Sequence, residues 1–315
     1  MYRIGVDLGG TNIVAGVVDE YYRIVGRGSM PTACPRPSWE IINDIALSIN
    51  MAVEDANITL DDVLSIGIGT PGSVNKRFGV IEYANNLGFD NVPCKEILQV
   101  QFDKPIYIEN DANCAALGEA VAGAGDGVED FIAVTLGTGV GTGIVVNGKI
   151  LNGCNDAAGE MGHMVIDVDG EQCTCGRKGC WEAYSSATAL IRETKKAMLE
   201  DKSSKMWELV DGDIENTNGR TSFDAMRAGD ETAKKVVDMY IHYLAVGLTN
   251  LINIFQPKVL CVGGGIGGEK ENLLTPLREI ICKERYSVHC AEQTRLCSAR
   301  LGNDAGIIGA ALLDE

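Results

Sequence analysis

Apolar residues open the chain in two short runs, over residues 4–7 and 13–18, separated by Gly9, Gly10 and Thr11. Two such runs joined by a glycine turn predict a β-hairpin. Ser38 then predicts a helix cap, followed by Ile42, Ile45, Ile49 and Val53 on one helical face. Residues 63–69 alternate as a strand that ends in Thr70-Pro71-Gly72. Another strand over 105–108 runs into Glu109-Asn110-Asp111 and an alanine-rich helix that stops at Gly123. At Val134 the opening pattern returns: Val6-Asp-Leu-Gly-Gly-Thr is matched by Val134-Thr-Leu-Gly-Thr-Gly, and each continues into a second β-branched run. Two copies of strand, glycine turn and strand predict a duplicated domain.

Helical spacing dominates the second half of the chain. Ala233, Val236, Val237, Tyr240, Leu244, Leu248, Leu251 and Phe255 share one face, and Pro257 ends the helix. A strand over 259–262 opens into Gly263-Gly-Gly-Ile-Gly-Gly268. A helix over 303–313 carries Gly306, Gly309 and Ala310, small residues that permit close helix contact. Residues 200–222 are polar and predict no element. No linker rich in Pro or Ser divides the halves, so two closely apposed domains are expected from the 315 residues.

Charge narrows the partners. A net charge of −17 argues against sequence-independent binding to nucleic acid, which needs clustered Lys and Arg. It leaves room for a small anion held by backbone N–H groups and a divalent cation. No basic region followed by an apolar run marks a leader. A long uncharged stretch, from Phe131 up to Lys149, is short for a membrane span and broken by glycines. Eleven cysteines, an odd number, point to mostly free thiols in a reducing cytoplasm.

Three glycine clusters follow apolar strands, at 9–10, 137–143 and 263–268. Successive N–H groups in such turns can face phosphate oxygens, so the trio points to a polyphosphate ligand. Gly143 to Lys149 matches the start of a P-loop, but Ile150 replaces the Ser or Thr that would hold Mg²⁺, and Asn147-Gly148 reads better as strand and turn. The GxGxxG at 263–268 is easily met by chance in so glycine-rich a run. Asp7, just before the first turn, is placed to hold Mg²⁺ against phosphates or simply to bond local N–H groups. Asn110-Asp111 lies at a helix start, where it reads equally as an N-cap or as a general base for a hydroxyl.

Together, Asp7-Leu-Gly-Gly-Thr, Gly69-Thr-Pro-Gly72, Glu109-Asn-Asp111, Leu136-Gly-Thr-Gly139, Gly159-Glu-Met-Gly-His163 and Cys173-Thr-Cys-Gly-Arg-Lys-Gly-Cys-Trp-Glu182 resemble the ROK family (repressors, open reading frames, kinases), and within it the ATP-dependent glucokinases of bacteria. The resemblance implies an α/β, actin-like and ribonuclease-H-like ATPase fold, with two α/β domains and an interdomain cleft. It divides the chain into residues 1–110 plus 303–315, and residues 111–302 with a zinc-binding segment at 159–184. Glucose would be phosphorylated by ATP, with Asp111 as base at the 6-hydroxyl. Asn86, Asn110, Glu160, His163 and Glu182 would bind the sugar. Asp7 would serve Mg²⁺, and Gly9, Gly10, Thr11, Asn12, Gly137, Thr138 and Gly139 would meet the phosphates. Gly264 and Gly265 would lie near adenosine. The resemblance also implies a homodimer or homotetramer. Asn12 departs from the pattern, since many members carry Lys there. Family repressors carry an added N-terminal helix-turn-helix, for which a phosphate turn beginning by residue 9 leaves no room. Fructokinase, mannokinase, N-acetylmannosamine kinase and a non-catalytic sugar sensor stay open as alternatives.

His163, Cys173, Cys175 and Cys180 give one imidazole and three thiolates, a set suited to tetrahedral zinc. A disulfide reading leaves one cysteine over. A nucleic-acid knuckle would want basic neighbours, and Asp167, Asp169, Glu171 and Glu182 surround the segment. Four protein ligands close the site, so the ion is expected to be structural and to orient Glu160, His163 and Glu182.

Overall fold

A computed structural model describes residues 1–314. By its internal contacts the chain divides into one unit of residues 1–133, 143–159 and the stretch from Ala299, and another of residues 134–142 and 160–298. The division therefore falls elsewhere than after residue 110. Glu315, the last residue of the expected first domain, lies outside the described residues.

The first unit starts with β1 (Tyr2–Leu8), β2 (Asn12–Val18) and β3 (Ile24–Pro31), an antiparallel meander whose first turn is the glycine hairpin expected. In α1 (Ser38–Asp55), Ile42, Ile45 and Ile49 are fully buried. Ser38 is not its cap. Pro37 already holds the extended backbone a cap position needs, and Ser38 is the first helical residue. β4 (Val63–Thr70) lies parallel to β1. A small sheet of β5 (Ser73–Asn75), β6 (Val80–Ala84) and β7 (Phe89–Val92) follows, then α2 (Cys94–Gln99). β8 (Ile106–Asn110) pairs parallel with β4 and leads directly into α3 (Asp111–Val121). The main sheet has the order β3-β2-β1-β4-β8.

The pattern then repeats. β9 (Phe131–Leu136), β10 (Val140–Val146) and β11 (Lys149–Ile150) come first. Asn147 and Gly148 both adopt positive φ, of 51° and 74°, as a two-residue hairpin turn requires, so the P-loop lookalike is strand and turn. The helices are α4 (Glu182–Ser185), α5 (Ala187–Glu200), α6 (Met206–Leu209), α7 (Thr221–Arg227) and the long α8 (Glu231–Phe255). β12 (Val259–Gly263), α9 (Gly264–Gly267), α10 (Glu271–Glu284) and β13 (Arg295–Ser298) complete the series. The second sheet has the order β11-β10-β9-β12-β13, the order of the first strand for strand. That is the duplication predicted from the two glycine turns. The polar 200–222 stretch holds α6 and the start of α7, closed over a small core of Met198, Met206, Val210 and Ala225.

α11 (Asp304–Ala311) explains the displaced boundary. Ile307 and Ala311 pack with Val18 beside the first sheet, while Ile308 and Leu312 pack with Leu117 of α3. A Cβ at Gly309 would overlap the carbonyl oxygen of Cys114, and one at Gly67 would overlap that of Ala310. Glycine at these places lets α11 press directly onto β4 and α3, and so binds α3 into the first unit.

Candidate active site

In the first unit the strand ends gather the chemistry. The β4–β8 register sets Gly69 beside Glu109 and Thr70 beside Asn110. Asp7 lies near the end of β1. The turn after it is closed by the Gly9 N–H, which donates to Asn12 O (2.9 Å), and by the Thr32 hydroxyl, which donates to Gly9 O (2.6 Å). Asn86 lies beside Gly10, with its Cβ 3.7 Å from where a Gly10 side chain would begin.

At the start of α3 the cap falls to Asn110 and not to Asp111. Asn110 is the cap: its Oδ1 accepts from the N–H groups of Ala112 (2.9 Å) and Asn113 (3.2 Å), and its Nδ2 donates to Gly72 O (3.2 Å). Asp111 is the first helical residue, and its Oδ1 accepts from the Ala112 N–H at 2.8 Å. Burial raises the Asp111 carboxyl above its usual range, against the opposing pull of that N–H. Burial, and then the charge of Asp111, push Asp7 up to about 6.

Sequence reasoning missed the support beneath this pair. Glu109 is completely buried and receives Lys76 Nζ at 2.6 Å. It also accepts from the Asn110 N–H (2.9 Å) and from Asn113 Nδ2 (3.0 Å). With its amide oriented to suit both neighbours, Asn152 donates to Glu109 (2.9 Å) and accepts from Lys76 Nζ (2.8 Å). Lys76 and Asn152 stand in stretches without any motif, and nothing local in the sequence pairs them.

In the second unit the four expected metal ligands converge, with their ligand atoms all within 4.8 Å of one another. Cys175 Sγ and Cys180 Sγ are 3.6 Å apart, and Cys173 Sγ is 3.7 Å from His163 Nδ1. A disulfide would need about 2.05 Å between sulfurs. Tetrahedral zinc with Zn–S near 2.3 Å spaces its sulfurs by about 3.8 Å, so the donor set fits that ion. Enclosure and the adjacent cysteines push the Cys180 thiol up to about 12, whereas a backbone hydrogen bond from Arg177 lowers Cys175. Nδ1 of His163 is the nitrogen turned to the sulfurs, which assigns Nε2 to any second partner.

Trp181, next to Cys180, is completely buried, and its indole N–H donates to Tyr243 O (3.0 Å). Glu182 follows at the start of α4. One of its oxygens accepts from the Val140 N–H (2.9 Å), and the other lies 3.8 Å from Cys173 Sγ. It thus joins the cysteine cluster to the turn at Gly137, Thr138 and Gly139, a link the sequence did not disclose. Glu160 is exposed, and its carbonyl accepts from the His163 N–H (3.1 Å). Gly264 has φ of 78° and packs against the backbone of Leu136. Gly265 lines an open hollow of about 630 Å³ with Arg220, Asp224, Arg227 and Glu269.

Doubled sheets, each with a glycine turn at the tip of its first hairpin, make this an actin-like, ribonuclease-H-like α/β ATPase fold. The chain belongs to the ROK family, whose model matches residues 3–315. It is 37% identical to a glucokinase of Halalkalibacterium halodurans, over 98% of this chain and 93% of that protein. A ROK family glucokinase from Streptomyces griseus, solved with glucose and AMPPNP, superposes with a TM-score of 0.80 at 35% identity over 99% of both chains. A xylose repressor of Caldicellulosiruptor bescii is 33% identical over 90% of this chain and 70% of its own length. Among the described residues no helix is long and apolar enough to cross a membrane.

Proposed function

We propose that the protein transfers the γ-phosphoryl group of ATP to the 6-hydroxyl of a hexose, with glucose as the preferred acceptor. The observation that carries this reading is the division at α3: Asn110 caps the helix, so Asp111 is available as a base. Asp111 would take the hydroxyl proton as the oxygen attacks phosphorus and ADP leaves. Positioning and charge neutralisation carry most of the rate in such transfers. Asp7 would hold Mg²⁺, which when bound neutralises phosphate charge. The turns at Gly9 to Asn12 and Gly137 to Gly139 would cradle the phosphates through N–H groups, and the hollow beside Gly265 suits adenosine. Asn86, Asn110, Glu160, His163 and Glu182 would bind sugar hydroxyls. His163, Cys173, Cys175 and Cys180 would hold a structural zinc ion, leaving His163 Nε2 for the sugar. The similar glucokinases support this reading. The similar xylose repressor favours a second one, a sugar sensor without catalysis.

A panel of glucose, fructose, mannose and N-acetylmannosamine with ATP and Mg²⁺, followed by ADP release, separates these readings. Glucose should give the highest kcat/KM. No hexose-dependent ADP would sink the kinase and favour the sensor. Asp111→Ala should lower kcat by about 10²–10⁴ while glucose still binds by calorimetry.

A further inference from the structure

The segment that leaves the cysteine cluster does more than reach toward an acceptor. Within residues 182–188 three hydrogen bonds fall on the second glycine turn. Glu182 accepts from the Val140 N–H (2.9 Å), the Ala187 N–H donates to Gly137 O (2.8 Å), and the Thr188 hydroxyl donates to Thr138 O (2.8 Å). Glu182 also occupies the space a side chain at residue 139 would need. The turn contributes one internal bond of its own, from the Gly137 N–H to Gly139 O (3.0 Å). Its shape is therefore set largely from outside. The clamp is itself fixed: Trp181 is buried and bonded to Tyr243 O, and Ser186 caps α5 by accepting from the Ala189 N–H (3.1 Å).

We infer that Thr188 and Glu182 are positioning residues for the turn at Gly137 to Gly139, so that the cysteine cluster shapes the nucleotide side of the site as well as the acceptor side. The inference rests on the reading of that turn as a phosphate cradle. Thr188 touches no reacting atom. It acts by holding the Thr138 carbonyl, which keeps the neighbouring N–H groups aimed. Valine at 188 keeps the branched shape and removes only the donor.

The test compares Thr188→Val and Thr188→Ser with the wild type. Its readouts are ATP binding by calorimetry without sugar, the KM for ATP and for glucose, and zinc content by emission spectroscopy. Thr188→Val should weaken ATP binding about two- to tenfold, the size of one lost hydrogen bond. Its KM for glucose and its zinc content should stay as in the wild type, and Thr188→Ser should restore ATP affinity. Unchanged ATP affinity in Thr188→Val, or a lowered Tm as its only effect, overturns the inference. A wild type that binds ATP but phosphorylates no hexose would overturn the kinase reading and leave this comparison valid. Glu182→Ala, which leaves the Val140 N–H without its acceptor, should also weaken ATP binding without sugar about two- to tenfold. Unchanged ATP affinity in Glu182→Ala would remove Glu182 from the clamp.

Discussion

Asp7 works against the fold that carries it. Its carboxyl titrates near 6 in the native protein against an ordinary 3.8, through burial and then through Asp111. The native state therefore binds this proton more tightly than the unfolded chain does, and stability is lost as pH rises from about 4 through 6. At neutral pH the penalty is of the order of 1–3 kcal/mol. Asp7→Asn should raise Tm at pH 7.5 and lower kcat, and the gain in Tm should vanish near pH ~3.5. Equal Tm at both pH values would show that the carboxylate carries no such cost. The features that can be read from sequence are those whose chemistry is local: the one histidine and three cysteines that converge sit within one short segment, and Asn110-Asp111 marks a helix start. Lys76, Asn152 and Thr188 could not be read this way. Their partners, Glu109 and Thr138, are distant in the chain, and each bond exists only once the fold has formed.

Among the elements, the segment over 159–184 has little regular structure to stand on. Before α4 begins at Glu182 it holds one short 3₁₀ turn, Met161–His163, and two isolated bridges, Val165 with Cys180 and Gln172 with Lys178. On the proposed reading, a zinc ion held by His163, Cys173, Cys175 and Cys180 would supply the missing constraint. Removing zinc with a chelator should open residues 165–180 to limited proteolysis, and restoring the metal should close them. A cleavage pattern unaffected by chelation would mean that the segment is held without an ion. The glycine hairpins are legible because the turn residues and the flanking β-branched runs act over a few positions. The start of α1 misleads for a related reason. Ser38 has the right chemistry for a cap, but Pro37 before it fixes the backbone first. The polar stretch from 200 to 222 carries no periodic signal, because α6 is a single turn inside a small satellite core.

For the molecule as a whole, the duplication is legible from two short motifs, and the sheet orders match strand for strand. The true extent of the first unit is not. It depends on backbone contacts at Gly309 and Gly67, and a lone glycine in a sequence does not say what presses on it. Gly309→Leu should cost at least about 3 kcal/mol, since neither α3 nor α11 can yield to a side chain there. A urea midpoint like that of the wild type would refute this role. The same contact orders events in time. Ribosomes deliver β1, β4 and α3 long before residues 304–311, so the nascent first sheet waits with one face bare while nearly two hundred further residues are made. A chain halted upstream of α11 would display that face to whatever in the cell recognises unfinished protein.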